Sequence, residues 1–276
     1  MRRLCVVASS FLLASAGAGA QFDHHHETWS ALLKKHVVLL DGGKASEVRY
    51  AGFLQDRGVL KGYLESLSSV TPQEFDGWSK AQRMAFLINA YNAFTVEKIL
   101  TRYPDIKSIW DFGKVFGNPF RDRFFTLLGR ESFLDRIEHE TLRKPGAYDE
   151  PRVHFAVNCA SVGCPMLREE AYVAGRLEAQ LEEQARRFLS DRSRNRYNPE
   201  AGLLEVSRIF DWFKEDWTSG YRGFDGKREP IRSREQYFAA YAALLAGEPA
   251  HQKRILEHKA GIRFLDYDWA LNDARR

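Results

Sequence analysis

The stretch Met84 to Val96, MAFLINAYNAFTV, constrains this chain more than any other, because it carries no charge and is apolar on every side of a helical wheel. A helix of that kind is buried all round. Ser79 and Gln82 stand before it as an S-x-x-Q capping box, and Pro104 stops it. Spanning a bilayer takes about 20 apolar residues, and this run is too short. It reads as the central helix of a globular domain. Asn89 and Asn92 lie three apart on one face of it. A buried amide is costly unless hydrogen-bonded, so something polar must face both. Tying neighbouring loops to the helix is the simpler role; for Asn89 the alternative is a donor to an oxyanion.

The chain has 276 residues, 44% hydrophobic and 13% aromatic, enough for a sizeable core. No Pro/Gly/Ser linker divides residues 27–276, so one globular domain is expected after a flexible polar lead over 21–26. The net charge is +4 with acidic and basic residues interleaved, which argues against a nucleic-acid surface. Residues 1–20 read as a signal peptide: Arg2 and Arg3, an apolar middle, then Ala18-Gly19-Ala20 before Gln21. A periplasmic or secreted protein with no transmembrane segment in the mature chain follows, in a bacterial context. The mature chain keeps Cys159 and Cys164, and in an oxidising compartment a close pair is readily a disulfide.

Amphipathic or capped helices are expected over Glu27–Leu40, Val59–Leu67, Phe133–Arg143, Leu177–Leu189 and Arg234–Ala246. Pro104 to Pro119 is aromatic-rich and irregular, with Trp110, Phe112 and Phe116. Strands are expected at Val48–Phe53, at Arg123–Leu128 returning through Gly129 to Phe133, at Leu203–Val206, and most clearly at Arg152–Asn158, RVHFAVN, where apolar residues alternate. Together these give an α+β fold, mostly helical around the central helix, with a small mainly antiparallel sheet.

Three groups of motifs carry a resemblance: AFLINAYNAFTV; LDRIEHETLR with PRVHFAVNCASVGCPML; and EVSRIFDWFKEDW with a final YDWALN. Across roughly Trp29 to Asn272 the chain resembles the domain of unknown function 547 family. The resemblance implies a single exported globular domain and no established activity. Asn89, Asn92, Glu138, His139, Arg143, His154, Cys159, Cys164 and Pro165 lie in its motif positions.

Chemistry assigns these residues two alternative sets of roles. In one, Cys159, at a strand end before a tight turn, is a nucleophile. His139 would be its base, oriented by Glu138 or Asp135, in a thiol hydrolase or acyltransferase for an envelope amide or ester. His154 is five residues upstream; at about 3.3 Å per strand residue it would lie roughly 16 Å away on the opposite face. In the other, the polar motifs staple a non-catalytic domain that binds an unknown small molecule or cell-envelope component. Cys159 and Cys164 are then disulfide-bonded, and Asn92, Arg143 and His154 are binding or packing residues. No P-loop, G-x-G-x-x-G, H-E-x-x-H or G-x-S-x-G occurs, and the spacing argues for no metal, so no cofactor is expected.

Overall fold

The computed structural model describes residues 21–113, 117–224 and 226–274. Residues 1–20, the expected signal peptide, lie outside the described residues, as does Phe116. Lys80–Leu100 forms the central helix. Ser79 Oγ accepts from the Gln82 amide, and Gln82 Oε1 accepts from the Ser79 amide, so both halves of the capping box are made. Every residue from Met84 to Val96 is buried. The shell around it begins with the helices Glu27–His36, Tyr50–Gln55, Arg57–Ser69 and Pro72–Asp76. About 49% of the described residues are helical and the fold is α+β.

The strands are short and dispersed rather than gathered into one sheet. Val37–Leu40 pairs antiparallel with Ala45–Val48, and Phe125–Leu127 pairs antiparallel with Arg130–Ser132. The second hairpin turns on Leu128 and Gly129, both at positive φ, the conformation that suits the twist of a two-residue hairpin. Arg196–Asn198, Leu203–Ser207 and Gly261–Leu265 form a three-stranded sheet with one antiparallel and one parallel pairing. Among the described residues no helix is long and apolar enough to cross a membrane.

Two buried clusters meet in the molecule. One surrounds the central helix; the other gathers Phe155, Phe188, Phe210, Trp217 and Tyr237 beneath the Leu177–Ser190 helix. The segment between them corrects the strand expected at Arg152–Asn158. Val153–Ala156 is a turn of α-helix, and all seven residues from Arg152 to Asn158 are buried. Its apolar alternation does not mark one face of a sheet. Phe155 enters one cluster, whereas Val153 and Ala156 enter the other.

Other boundaries shift for local reasons. The strand expected at Val48–Phe53 ends at Val48, and a helix begins at Tyr50. The helix expected over Glu27–Leu40 gives way at Val37 to the first hairpin. Arg234–Ala246 is two short helices, Arg234–Ala239 and Ala242–Leu245. The lead at 21–26, expected to be flexible, is docked. Phe22 stacks on Trp78 at 5.3 Å, and His26 is buried with Nδ1 2.7 Å from the Tyr63 hydroxyl.

Candidate functional site

The asparagines of the central helix position the site without entering it. Asn89 binds the backbone of Tyr172 in both directions: Nδ2 donates to the carbonyl at 2.8 Å and Oδ1 accepts from the amide at 3.0 Å. Asn92 does the same for the segment before Cys159, donating to Ala156 O at 2.9 Å and accepting from Asn158 N at 2.8 Å. These amides satisfy backbone groups that a neighbouring strand would otherwise satisfy. Asn89 is fully buried and does not line the cavity described below.

The turn after Asn158 fixes Cys159. Asn158 donates through Nδ2 to Pro165 O at 2.8 Å and accepts through Oδ1 from Ala160 N at 2.9 Å. Ala160 has φ 63°, a left-handed conformation that costs a non-glycine residue energy and persists only where its surroundings impose it. The C-terminal residues then strap the loop. Val162 N donates to Ala270 O and Gly163 N to Asp268 O, each at 2.8 Å. Gly163 allows this approach: a Cβ there would sit 2.9 Å from Asp268 N and 3.0 Å from Asp268 O. The strap delivers Tyr267 and Trp269 to the site.

A cavity of about 150 Å3, partly open to solvent, lies where the two clusters meet. Phe120, Trp212, Phe213 and Trp269 form an aromatic wall; Asp135, Glu138, His139, His154, Cys159 and Cys164 supply its polar side. Trp212 stacks on Trp269 at 5.7 Å. His154 therefore shares the cavity with Cys159, and the strand-based reason for placing it far away falls with the strand.

The polar side chains form a linked chain of acidic and basic groups. Its first members stand on or at the ends of the segment Arg136–Leu142, which is a π-helix rather than an ordinary α-helix, a form that recurs at functional sites. Asp135 Oδ1 is 3.6 Å from His139 Nε2. Arg143 Nη1 donates to His139 Nδ1 at 2.8 Å, so that nitrogen is unprotonated and the ring proton is on Nε2, toward Asp135. Arg143 grips Asp216 with two donors, at 2.6 and 3.1 Å. His154 Nε2 donates to the same carboxylate at 2.7 Å, and its Nδ1 faces Glu138 at 3.7 Å. Phe213 packs inside this chain, stacked on His154 at 3.9 Å and under the Arg143 guanidinium at 4.5 Å.

Burial would raise the Asp216 pKa, but hydrogen bonds from His154 and Arg143 outweigh it and bring it down to about 2. Burial also lowers the pKa of His154, against the pull of Asp216. Asp135 is raised, mainly by burial.

Cys159 is partly exposed and Cys164 is buried. Their sulfurs are 3.2 Å apart and both are free thiols, so the disulfide weighed from the sequence is not formed in this structure. Ser161 Oγ lies 3.0 Å and Tyr267 OH 3.3 Å from the Cys159 sulfur. The Cys164 hydrogen bond, followed by those of Ser161 and Tyr267, lowers the Cys159 pKa against burial and the nearby charge of Glu138. Burial raises that of Cys164. The groups within hydrogen-bond reach of the Cys159 side chain are thus a thiol and two hydroxyls, not the imidazole expected from the sequence. Among the described residues no group of three or more His, Cys, Asp or Glu side chains is arranged to hold a metal ion.

Sequence reading named Cys159, Cys164, Asp135, Glu138, His139, Arg143 and His154, and the fold brings all seven together. It missed Ser161, Trp212, Phe213, Asp216, Tyr267 and Trp269 as site residues. Most of these stand in the blocks FDWFKEDW and YDWALN, aromatic and acidic runs whose density was the available signal.

A helical α+β domain with an aromatic-walled, thiol-bearing cavity is the class that fold and site define. Residues 75–189 match the family model described as Protein of unknown function, DUF547, so this segment is similar to that family. The matched span carries the central helix, the π-helix and the CASVGC turn; the wall built from Trp212 onward lies beyond it. No curated protein and no solved structure matches the chain.

Proposed function

We propose that the protein is exported, to the periplasm or beyond the cell, and there binds a small molecule or part of a cell-envelope component in the cavity between its two clusters. The observation that carries the binding reading is the cavity itself, with an aromatic wall and a few convergent polar groups. An apolar lining with sparse, convergent polar groups is the usual form of a small-ligand site. The paired rings of Trp212 and Trp269 favour a planar or apolar group, and Glu138 and His139 offer its polar end an acceptor and a donor. Native mass spectrometry of the mature protein after exposure to an envelope extract tests this. The wild type retains a ligand that Trp269→Ala loses; equal retention by both, or none by either, overturns it. Export rests on the charged start, apolar middle and Ala18-Gly19-Ala20. Intact mass of the exported protein should place its first residue at Gln21, whereas retention of residues 1–20 would make that segment a membrane anchor.

A second reading makes the domain a thiol hydrolase or acyltransferase for an envelope amide or ester. It is favoured by Cys159, Glu138 and His139 facing one cavity. It requires His139 to leave Arg143 and turn to the sulfur. Incubation with activated phenyl esters should then leave an acyl group on Cys159, and His139→Ala should abolish it. Absence of acylation by the wild type contradicts this second reading.

A further inference from the structure

The two sulfurs of the cavity support a chemistry that neither reading includes. Cys159 opens to the cavity and Cys164 lies buried behind it, with 3.2 Å between the sulfurs. Bond formation needs a separation near 2.05 Å, so about 1 Å of closure joins them. The loop is built for this approach. Cys164 N donates to Ser161 O at 3.1 Å, the Cys159 amide donates to the Cys164 sulfur at 3.1 Å, and Asn158 clamps both ends of the turn. The two thiols are also unequal. Hydrogen bonds from Cys164, Ser161 and Tyr267 favour the thiolate at Cys159, while burial holds Cys164 protonated.

We propose that Cys159 and Cys164 form an exchanging dithiol that reduces disulfides bearing an aromatic or similarly planar group, bound against the Trp212–Trp269 wall. The inference rests on the cavity being a ligand site. The Cys159 thiolate attacks one sulfur of the bound disulfide; a Cys159–substrate S–S bond forms, the substrate S–S bond breaks, and the first thiolate leaves. Cys164 then attacks the Cys159 sulfur. The Cys159–Cys164 bond forms, the mixed disulfide breaks, and the Cys164 proton passes to the second departing thiolate. Two electrons move from the pair to the substrate, which leaves as two thiols, and an external dithiol returns the pair to its reduced state. The disulfide of this pair is accordingly one state of a cycle rather than a fixed staple.

The test uses the full mature protein, reduced and desalted, with dithiodipyridine as an aromatic probe whose released thiopyridone is read by absorbance. In the folded wild type, both thiopyridones of one probe molecule are released per chain. The second appears at a rate independent of probe concentration, and the intact mass falls by two hydrogens with no adduct. Cys164→Ser stops at the first release and retains a stable pyridylthio adduct; Cys159→Ser reacts at least about tenfold more slowly. The wild-type mass decides even if a variant folds poorly. A wild type that keeps the adduct overturns the inference while leaving the cavity reading intact, because Cys159 has still met a ligand-sized probe. Absence of reaction until the chain is unfolded overturns the inference and removes the thiol from the cavity; the ligand-retention experiment then judges the cavity by itself.

Discussion

Asn89 shows what a single buried amide does in this fold. Its two polar atoms pair with the two backbone groups of Tyr172, and all of them are buried. Replacing it by leucine keeps the volume and strands both backbone groups. Asn89→Leu should therefore cost on the order of 1–3 kcal/mol, read as a lower denaturation midpoint. An unchanged midpoint would mean that water or a shifted loop satisfies Tyr172. Expecting a polar partner for Asn89 was sound from the sequence, because burial of an amide in an uncharged helix forces one. Its identity was not legible: Tyr172 stands 83 positions further on. The same limit applies at the sulfur. Cys159 was readable as a candidate nucleophile or disulfide partner, but its hydroxyl neighbour Tyr267 is separated from it by 108 positions, and only tertiary packing brings them together.

At the scale of elements, what was legible was local. The central helix, its capping box, the Leu177–Ser190 helix and the Phe125–Ser132 hairpin follow from signals within a few residues of one another. The strand expected at RVHFAVN was misread because alternation reports a sheet face only when one face is wet, and here both sides are buried. Asn92 takes up the backbone groups on either side of the helical turn, so no strand is needed beside it. The strap over residues 160–163 is the other element that matters. Gly163→Ala places a methyl group against the Asp268 backbone and the Tyr267 ring, so the strap must move outward. The variant should lose stability by about 1–3 kcal/mol. With the Tyr267 hydroxyl displaced, it should also alkylate Cys159 more slowly at pH 6 than the wild type. A variant with wild-type midpoint and labelling rate would mean that the strap does not support the thiol.

At the scale of the whole molecule, buried histidines tie stability to pH. His26 is 1% exposed, and burial lowers its pKa to about 4, against the opposing charge of Asp23. The unfolded chain, with an ordinary histidine near 6.5, binds more protons than the native one between those two values. Stability is therefore full above pH 6.5 and falls as pH drops toward 4, by up to roughly 3 kcal/mol for this group. His24 and His154, also lowered mainly by burial, act in the same direction. Thermal midpoints measured from pH 7 to pH 4.5 should decline, and His26→Gln should flatten the decline; an equally steep slope in the variant would show that His26 is not responsible. The docked lead that buries His26 also explains why a histidine run can be misread as a loose end: its anchors, Trp78 and Tyr63, are remote in sequence.

Cys159 sits in the cavity as a partly exposed thiol whose ionisation is favoured by Cys164, Ser161 and Tyr267. Iodoacetamide alkylation of the reduced, folded protein, followed across pH by mass of the Cys159 peptide, tests it most directly. Labelling is expected with an apparent pKa below the free-thiol value of about 8.5, faster at pH 6 than a model thiol, and slowed by Tyr267→Phe. Labelling that begins only when the chain unfolds, or that follows the pH profile of a free thiol and ignores Tyr267→Phe, would contradict it.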